Sequence, residues 1–275
     1  MNFFEQILVF LDGRMTTPTA FGWYHLMCLA LVIAASVIVG IYGKKFSDKH
    51  NKLFLLILSS TMLILEVYKQ LNFSFSVVNG GGTWDYQWYA FPFQFCSTPM
   101  YVIFIASLLK PGRVQDALYS FIGTFGLLAG ALVMIMPGDV FISTIGINIQ
   151  TMIVHGGMVV AGVYMLASGR VKLNFKSILG AIIVFAILAS IALLLNIILY
   201  NSGVLNGETF NMFFISPYFP STLPVFSLIY ASVPYFVFLL LYLIGFSLGA
   251  LIILSIAILI KYLVNKLKAN KQKTA

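Results

Sequence analysis

Charge is what this sequence has least of. Asp, Glu, Lys and Arg make up 9% of its 275 residues, while 60% are hydrophobic; a soluble domain carries about 25% charged residues. That shortage excludes a water-soluble globular domain and points to an integral membrane protein. Cysteine is scarce too. Cys28 and Cys96 both lie in apolar stretches, which excludes a disulfide framework and leaves at most one bridge. No His-x-x-x-His or Cys-x-x-Cys spacing occurs, so neither a metal site nor a cofactor is expected. No basic segment precedes the first apolar stretch, which Glu5, Asp12 and Arg14 interrupt, so the N-terminus does not read as a secretory signal. Residues 3–11 (FFEQILVFL) are expected to form a short interfacial helix. Internal repeats, low-complexity tracts and soluble segments are also missing, so residues 1–275 are expected to form one integral membrane domain.

What is present is a pattern. Fourteen of the sixteen Lys and Arg residues fall in four short segments, 44–52, 110–113, 170–176 and 261–273; the exceptions are Arg14 and Lys69. Apolar runs of about 18 to 25 residues separate the basic segments, long enough to cross a hydrocarbon core. The pattern predicts an all-α polytopic bundle of seven transmembrane helices at roughly 23–43, 53–72, 92–109, 116–136, 148–168, 177–200 and 234–262. Cytoplasmic loops collect Lys and Arg, which places the N-terminus outside and the C-terminus inside. The net charge of +8 is then explained by topology and anionic headgroups rather than by nucleic acid. The outer loops, 73–91, 137–147 and 201–233, carry Asp85, Asp139 and Glu208 and no Lys or Arg. Pro217, Pro220 and Pro224 break the last of them, yet it is too apolar to float free; a re-entrant or surface-lying segment is expected there. Gly126 and Gly130, and Gly245 and Gly249, have the spacing of close helix packing.

Direction gives depth. Glu66 falls about six residues below the outer surface, Cys96 about five and His155 about seven, or roughly 7 to 11 Å. A carboxylate, a thiol and an imidazole thus share one layer with His25, Lys69, Gln94, Asn148, Gln150 and Asn196 nearby. Ionisable groups inside spans face a bundle interior or a wet cavity. Each has a structural reading as well: Glu66 and Lys69, three apart, suit a helical ion pair, and Cys28 is a small hydrophobe at the membrane. His25 reads as an interface residue and His50 as solvated.

The chemistry open to such a layer is specific. An imidazole can take the proton of a neighbouring thiol, and a carboxylate can hold that imidazole in the right tautomer. The set Cys96, His155 and Glu66 would accept an acyl group from a phospholipid ester as a thioester and pass it to a hydroxyl or to water. Gln94 and Asn211 are candidate oxyanion or headgroup donors, and Lys69 and Asn148 are candidate substrate contacts.

These residues also carry a resemblance. Glu66–Val67–Tyr68–Lys69, the run FPFQFC from Phe91 to Cys96, His155 after an outer loop, NMFFISP from Asn211 to Pro217, and Pro234–Tyr235 occur in order. In this the chain, from about residue 50 to 260, resembles the YwaF-like family of bacterial membrane proteins, related to the transmembrane protein 164 acyltransferases of vertebrates. The resemblance implies a seven-helix fold and, as in the vertebrate relatives, acyl transfer to lysophospholipid with Cys96 as nucleophile and His155 as base. The lack of long loops and targeting signals favours a multi-pass place in a bacterial plasma membrane. The chain departs from the family pattern at Gln94 and Val154, where His is often found. Two rival readings stay open: a transporter or channel with its polar site in the same layer, and a non-catalytic lipid-binding or sensory protein. A retinal photoreceptor is not expected, because the final span has no mid-membrane Lys for a Schiff base.

Overall fold

A computed structural model describes residues 1–273; Thr274 and Ala275, at the end of the expected 1–275 domain, lie outside the described residues. The protein is an all-α polytopic membrane bundle. Among the described residues six helices are long and apolar enough to cross a membrane: Trp23–Lys45, Asp48–Ser74, Arg113–Ile135, Ile145–Ala167, Phe175–Ser202 and Tyr235–Asn270. In chain order the helices are α1 (Phe3–Leu11), α2 (Trp23–Tyr42), α3 (Asp48–Ser74), α4 (Thr98–Leu108), α5 (Arg113–Phe121), α6 (Leu127–Ile135), α7 (Ile145–Ala167), α8 (Phe175–Ser202), α9 (Phe226–Tyr230) and α10 (Tyr235–Lys273). A π turn, Ile122–Gly126, joins α5 to α6 into one rod.

The stretch expected to span at 92–109 is the exception. Its helix, α4, has only 11 residues, about 16 Å against a hydrocarbon core of ~30 Å. Pro92 biases the residue before it away from helix, and Pro99 sits in the first turn of α4, where its missing N–H has no helical partner to lose. Residues 91–97 run irregularly instead. Their backbone is paired locally, Phe93 N–H to the Phe91 carbonyl and Ser97 and Thr98 N–H to the Gln94 carbonyl, and Tyr101 donates to the Pro92 carbonyl at 2.9 Å. Irregular backbone of this kind is tolerated at membrane depth only where protein encloses it.

One end of the bundle is elaborate. The expected helix at 3–11 forms, closed by a reciprocal cap in which Asn2 accepts from Glu5 N–H at 2.9 Å and Glu5 accepts from Asn2 N–H at 2.8 Å. Asp12 then ties the N-terminal segment down: it pairs with Arg14 at 2.6 Å and accepts from Thr144 at 3.2 Å and from Asn72 at 3.4 Å. After α3 the chain forms a two-stranded antiparallel hairpin, β1 (Phe75–Val78) and β2 (Gly81–Trp84), an addition to the all-helical expectation. Its turn is Asn79–Gly80, both at positive φ (+52° and +78°), the pair that a two-residue hairpin turn favours.

The long connection 201–233 is no continuous helix, as its prolines predict, and it enters the bundle. Phe210, Met212, Phe213 and Ile215 are buried. The Asn196 amide brackets Met212, donating to its carbonyl at 3.0 Å and accepting from its N–H at 2.7 Å. Beneath it lies an aromatic core in which Phe125 stacks on Phe185 at 4.6 Å and Phe95 meets Phe246 edge-on at 4.7 Å.

The opposite, basic end is held by a buried polar network. Asn51 donates to Tyr119 at 2.8 Å and accepts from Tyr164 at 2.9 Å. Arg170 reaches Tyr164 at 3.3 Å, the Phe46 carbonyl at 3.0 Å and Asp48 at 2.8 Å. Burial alone would make the Arg170 guanidinium easier to deprotonate; its bonds to Asp48 and Tyr164 outweigh that and raise its pKa.

Candidate functional site

Three elements build the polar cluster. On α3, one helical face presents Glu66, Lys69 and Gln70. Glu66 is 4% exposed, and its carboxylate has three donors: Lys69 at 2.7 Å, Gln70 at 2.8 Å and, from α7, Gln150 at 3.2 Å. A buried charge persists only when paired and hydrogen-bonded in this way. Gln70 also donates to the Ala90 carbonyl at 2.8 Å and accepts from Tyr86 at 2.9 Å, so it ties the lead-in to α4 onto α3.

His155 projects from α7 and is buried. Its Nδ1–H donates to the Thr151 carbonyl, one turn back, at 2.7 Å. In the neutral ring this fixes the tautomer and leaves the lone pair on Nε2. That Nε2 has no partner among the described residues. The expected bond from Glu66 to the imidazole is not made: the carboxylate is filled by Lys69, Gln70 and Gln150, and a backbone carbonyl orients the ring instead. Gly130 of α6 makes the crossing with α7 possible, since a Cβ there would sit 2.6 Å from the His155 carbonyl oxygen.

Cys96 is partly buried in the irregular lead-in to α4. Lys69 lies within electrostatic range of both Cys96 and His155, and Glu66 within range of Cys96. No hydrogen bond joins Cys96 to His155 among the described residues. Both cysteines are free. The Tyr242 hydroxyl of α10 also lies within range of Cys96, is buried, and has no partner. Four buried polar side-chain atoms lack a partner among the described residues, those of Ser36, His155, Ser221 and Tyr242; two of them border this cluster.

The remaining candidates are spent on architecture. Gln94 donates to the Asn211 carbonyl at 3.0 Å and accepts from Phe213 N–H at 2.8 Å. Asn211 donates to the Pro220 carbonyl at 3.0 Å and accepts from Ser216 N–H at 2.9 Å. Asn148 does the same for the 137–147 loop, bonding both the N–H and the carbonyl of Ile142, at 3.0 Å and 2.7 Å. These amides hold loop backbone. His25, expected at the membrane interface, is fully buried: it accepts from Phe21 N–H at 2.9 Å and donates to the Met134 carbonyl at 2.7 Å. Gln70, Tyr86 and Tyr242 were not singled out from sequence. Gln70 had a signal, four residues beyond Glu66 on one face, whereas Tyr242 had none in an apolar run. No three metal-ligating side chains converge among the described residues.

A multi-pass helical membrane protein with a buried and partly unpaired polar cluster at one end of its bundle is the class these features define. Residues 20–258 match the TMEM164 family, and the chain belongs to that family. No curated protein and no solved structure matches it.

Proposed function

We propose that the protein transfers or hydrolyses a phospholipid acyl group through a thioester on Cys96. The observation that carries this reading is the unpartnered Nε2 of His155, buried, with its tautomer fixed from the other side of the ring. An orphaned buried acceptor calls for a partner, and the thiol of Cys96, which shares Lys69 with His155 as a neighbouring charge, is the proton source this reading assigns to it. In the first half-reaction the Cys96 proton passes to Nε2, and the thiolate attacks the ester carbonyl. The ester C–O bond breaks, and the leaving lysophospholipid oxygen takes the proton from the imidazolium. In the second, an acceptor hydroxyl or water gives its proton to Nε2 and attacks the thioester. The thiolate leaves and recovers the proton. The Lys69 ammonium favours the thiolate, and the Tyr242 hydroxyl suits the developing oxyanion. Contact between thiol and imidazole commonly tightens only when substrate is bound.

The same reading places the cluster in the outer leaflet of a bacterial plasma membrane, in a YwaF-like member of the family. The N-terminus is outside and the C-terminus inside, with α4 and its lead-in completing a seventh crossing. The basic segments support that orientation. Binding of a lipid without turnover is the second reading, favoured by the closed amides of Gln94, Asn211 and Asn148. Intact-mass spectrometry after incubation with mixed phospholipids separates the two. The acyl-transfer reading expects a mass gain of one acyl chain that hydroxylamine removes, absent in Cys96→Ala and slower in His155→Ala. Unmodified wild-type protein with lipid merely co-purifying would favour binding alone.

A further inference from the structure

At the basic end, α5 and α8 lie side by side, and a cavity of about 410 Å³ opens between their N-terminal turns. Arg113, Arg170, Lys172 and Lys176 line it, with Asp116 and Asn174. Arg170 is turned away, its guanidinium taken by Asp48, Tyr164 and the Phe46 carbonyl. Lys172 meets Asp116 at 3.6 Å, both largely exposed, a pairing that contributes little. Arg113, Lys172 and Lys176 against Asp116 leave the groove two positive charges in excess. The first turn of α5 adds backbone N–H groups, because its cap is Gly112 and no side chain covers them.

The groove lies at the ends of two helices apolar enough to cross a membrane, so it sits at headgroup level. Its flank is apolar: Val114, Phe175, Leu179 and Ile183 are 66%, 76%, 47% and 52% exposed. A soluble anion has no use for that flank, whereas two acyl chains do. We infer that this groove is a binding site for an anionic phospholipid, whose phosphate is held by Arg113, Lys172 and Lys176 and whose chains run along α8. Basic pockets between membrane helices hold anionic headgroups by the same electrostatics. The site is at the opposite end of the bundle from Cys96 and is independent of acyl transfer.

Native mass spectrometry of the full chain, purified in non-ionic detergent and given equal amounts of phosphatidylglycerol and phosphatidylcholine, tests it. Wild type should retain phosphatidylglycerol preferentially. Lys176→Gln should lower its retention about fivefold, and adding Arg113→Gln should lower it about fivefold again. Arg113→Lys should keep most of it. Lys266→Gln with Lys268→Gln, the same charge removed from the far end of α10, should bind as wild type does. Equal loss in that control would show bulk charge attraction and overturn the site. Equal retention of the two lipids, or displacement by millimolar inorganic phosphate, would overturn it as a lipid site. All substituted positions are exposed, and an unchanged unfolding temperature confirms that each variant is folded.

Discussion

The two ends of the bundle each bury a polar cluster, and they differ in how it closes. At the basic end Asn51, Tyr119, Tyr164, Arg170 and Asp48 satisfy one another, and none of their buried side-chain atoms is orphaned. At the loop-rich end Glu66 is satisfied three times over, yet the His155 Nε2 and the Tyr242 hydroxyl have no partner among the described residues. A polar network that serves only the fold closes on itself, because each unpaired buried group costs about 1–3 kcal/mol. On the acyl-transfer reading, the open groups of the loop-rich end carry that cost for the chemistry.

The sharpest way to break this comparison is to remove the open group. His155→Ala should slow acylation of Cys96 by about a hundredfold to ten-thousandfold, the usual share of a general base, with little change in unfolding temperature. A large loss of stability would instead make His155 part of the scaffold. Next is Glu66→Ala, which leaves the Lys69 ammonium buried and unpaired and should cost about 3–5 kcal/mol. The double variant Glu66→Ala/Lys69→Met should recover much of it. Thermal unfolding in detergent reads both. At the closed end Asn51→Ala leaves the Tyr119 hydroxyl without its partner and takes the acceptor of the Tyr164 hydroxyl, which keeps Arg170, and should cost about 1–3 kcal/mol; an unchanged unfolding temperature would show that this network is not closed. Gly130→Ala, which drives a Cβ against the His155 carbonyl, should cost about 1–3 kcal/mol and slow the chemistry as well. The smallest effect on stability is expected for Tyr242→Phe, which removes no hydrogen bond. It should unfold like wild type, within about 0.5 kcal/mol, while acylation slows about a hundredfold or more. A marked destabilisation would mean that the hydroxyl has a partner.

The long apolar helices were legible in the sequence, because hydropathy acts over whole segments and lipid permits few alternatives. So were the helix at 3–11, whose Asn2 and Glu5 cap each other, and the Glu66–Lys69 pair, which is local to one helix face. The differences have physical causes. The run from Phe91 to Leu109 is apolar enough to span, but Pro92 biases its first residue away from helix, and only enclosure by the bundle makes the irregular stretch tolerable. The hairpin carried its Asn79–Gly80 signal inside a segment that hydropathy defines only as a gap between spans. The sequence places Gln94 and Asn148 near the depth of Cys96 and Asn211 in the last outer loop, but position along the chain does not say which way an amide turns, and each turns to a loop backbone. Thr151 orients His155 through a carbonyl, which every residue has. Tyr242 is decided by the rotation of α10 against its neighbours, which an all-round apolar sequence does not encode.

The central claim is that His155 activates Cys96, and the rate of Cys96 alkylation tests it most directly. With iodoacetamide under limiting conditions and peptide-level mass spectrometry, Cys96 should label faster than Cys28 in wild type. It should slow to the Cys28 rate in His155→Ala and keep its advantage in Asn51→Ala. Equal labelling of the two thiols in wild type, or a Cys96 rate indifferent to His155, would contradict it.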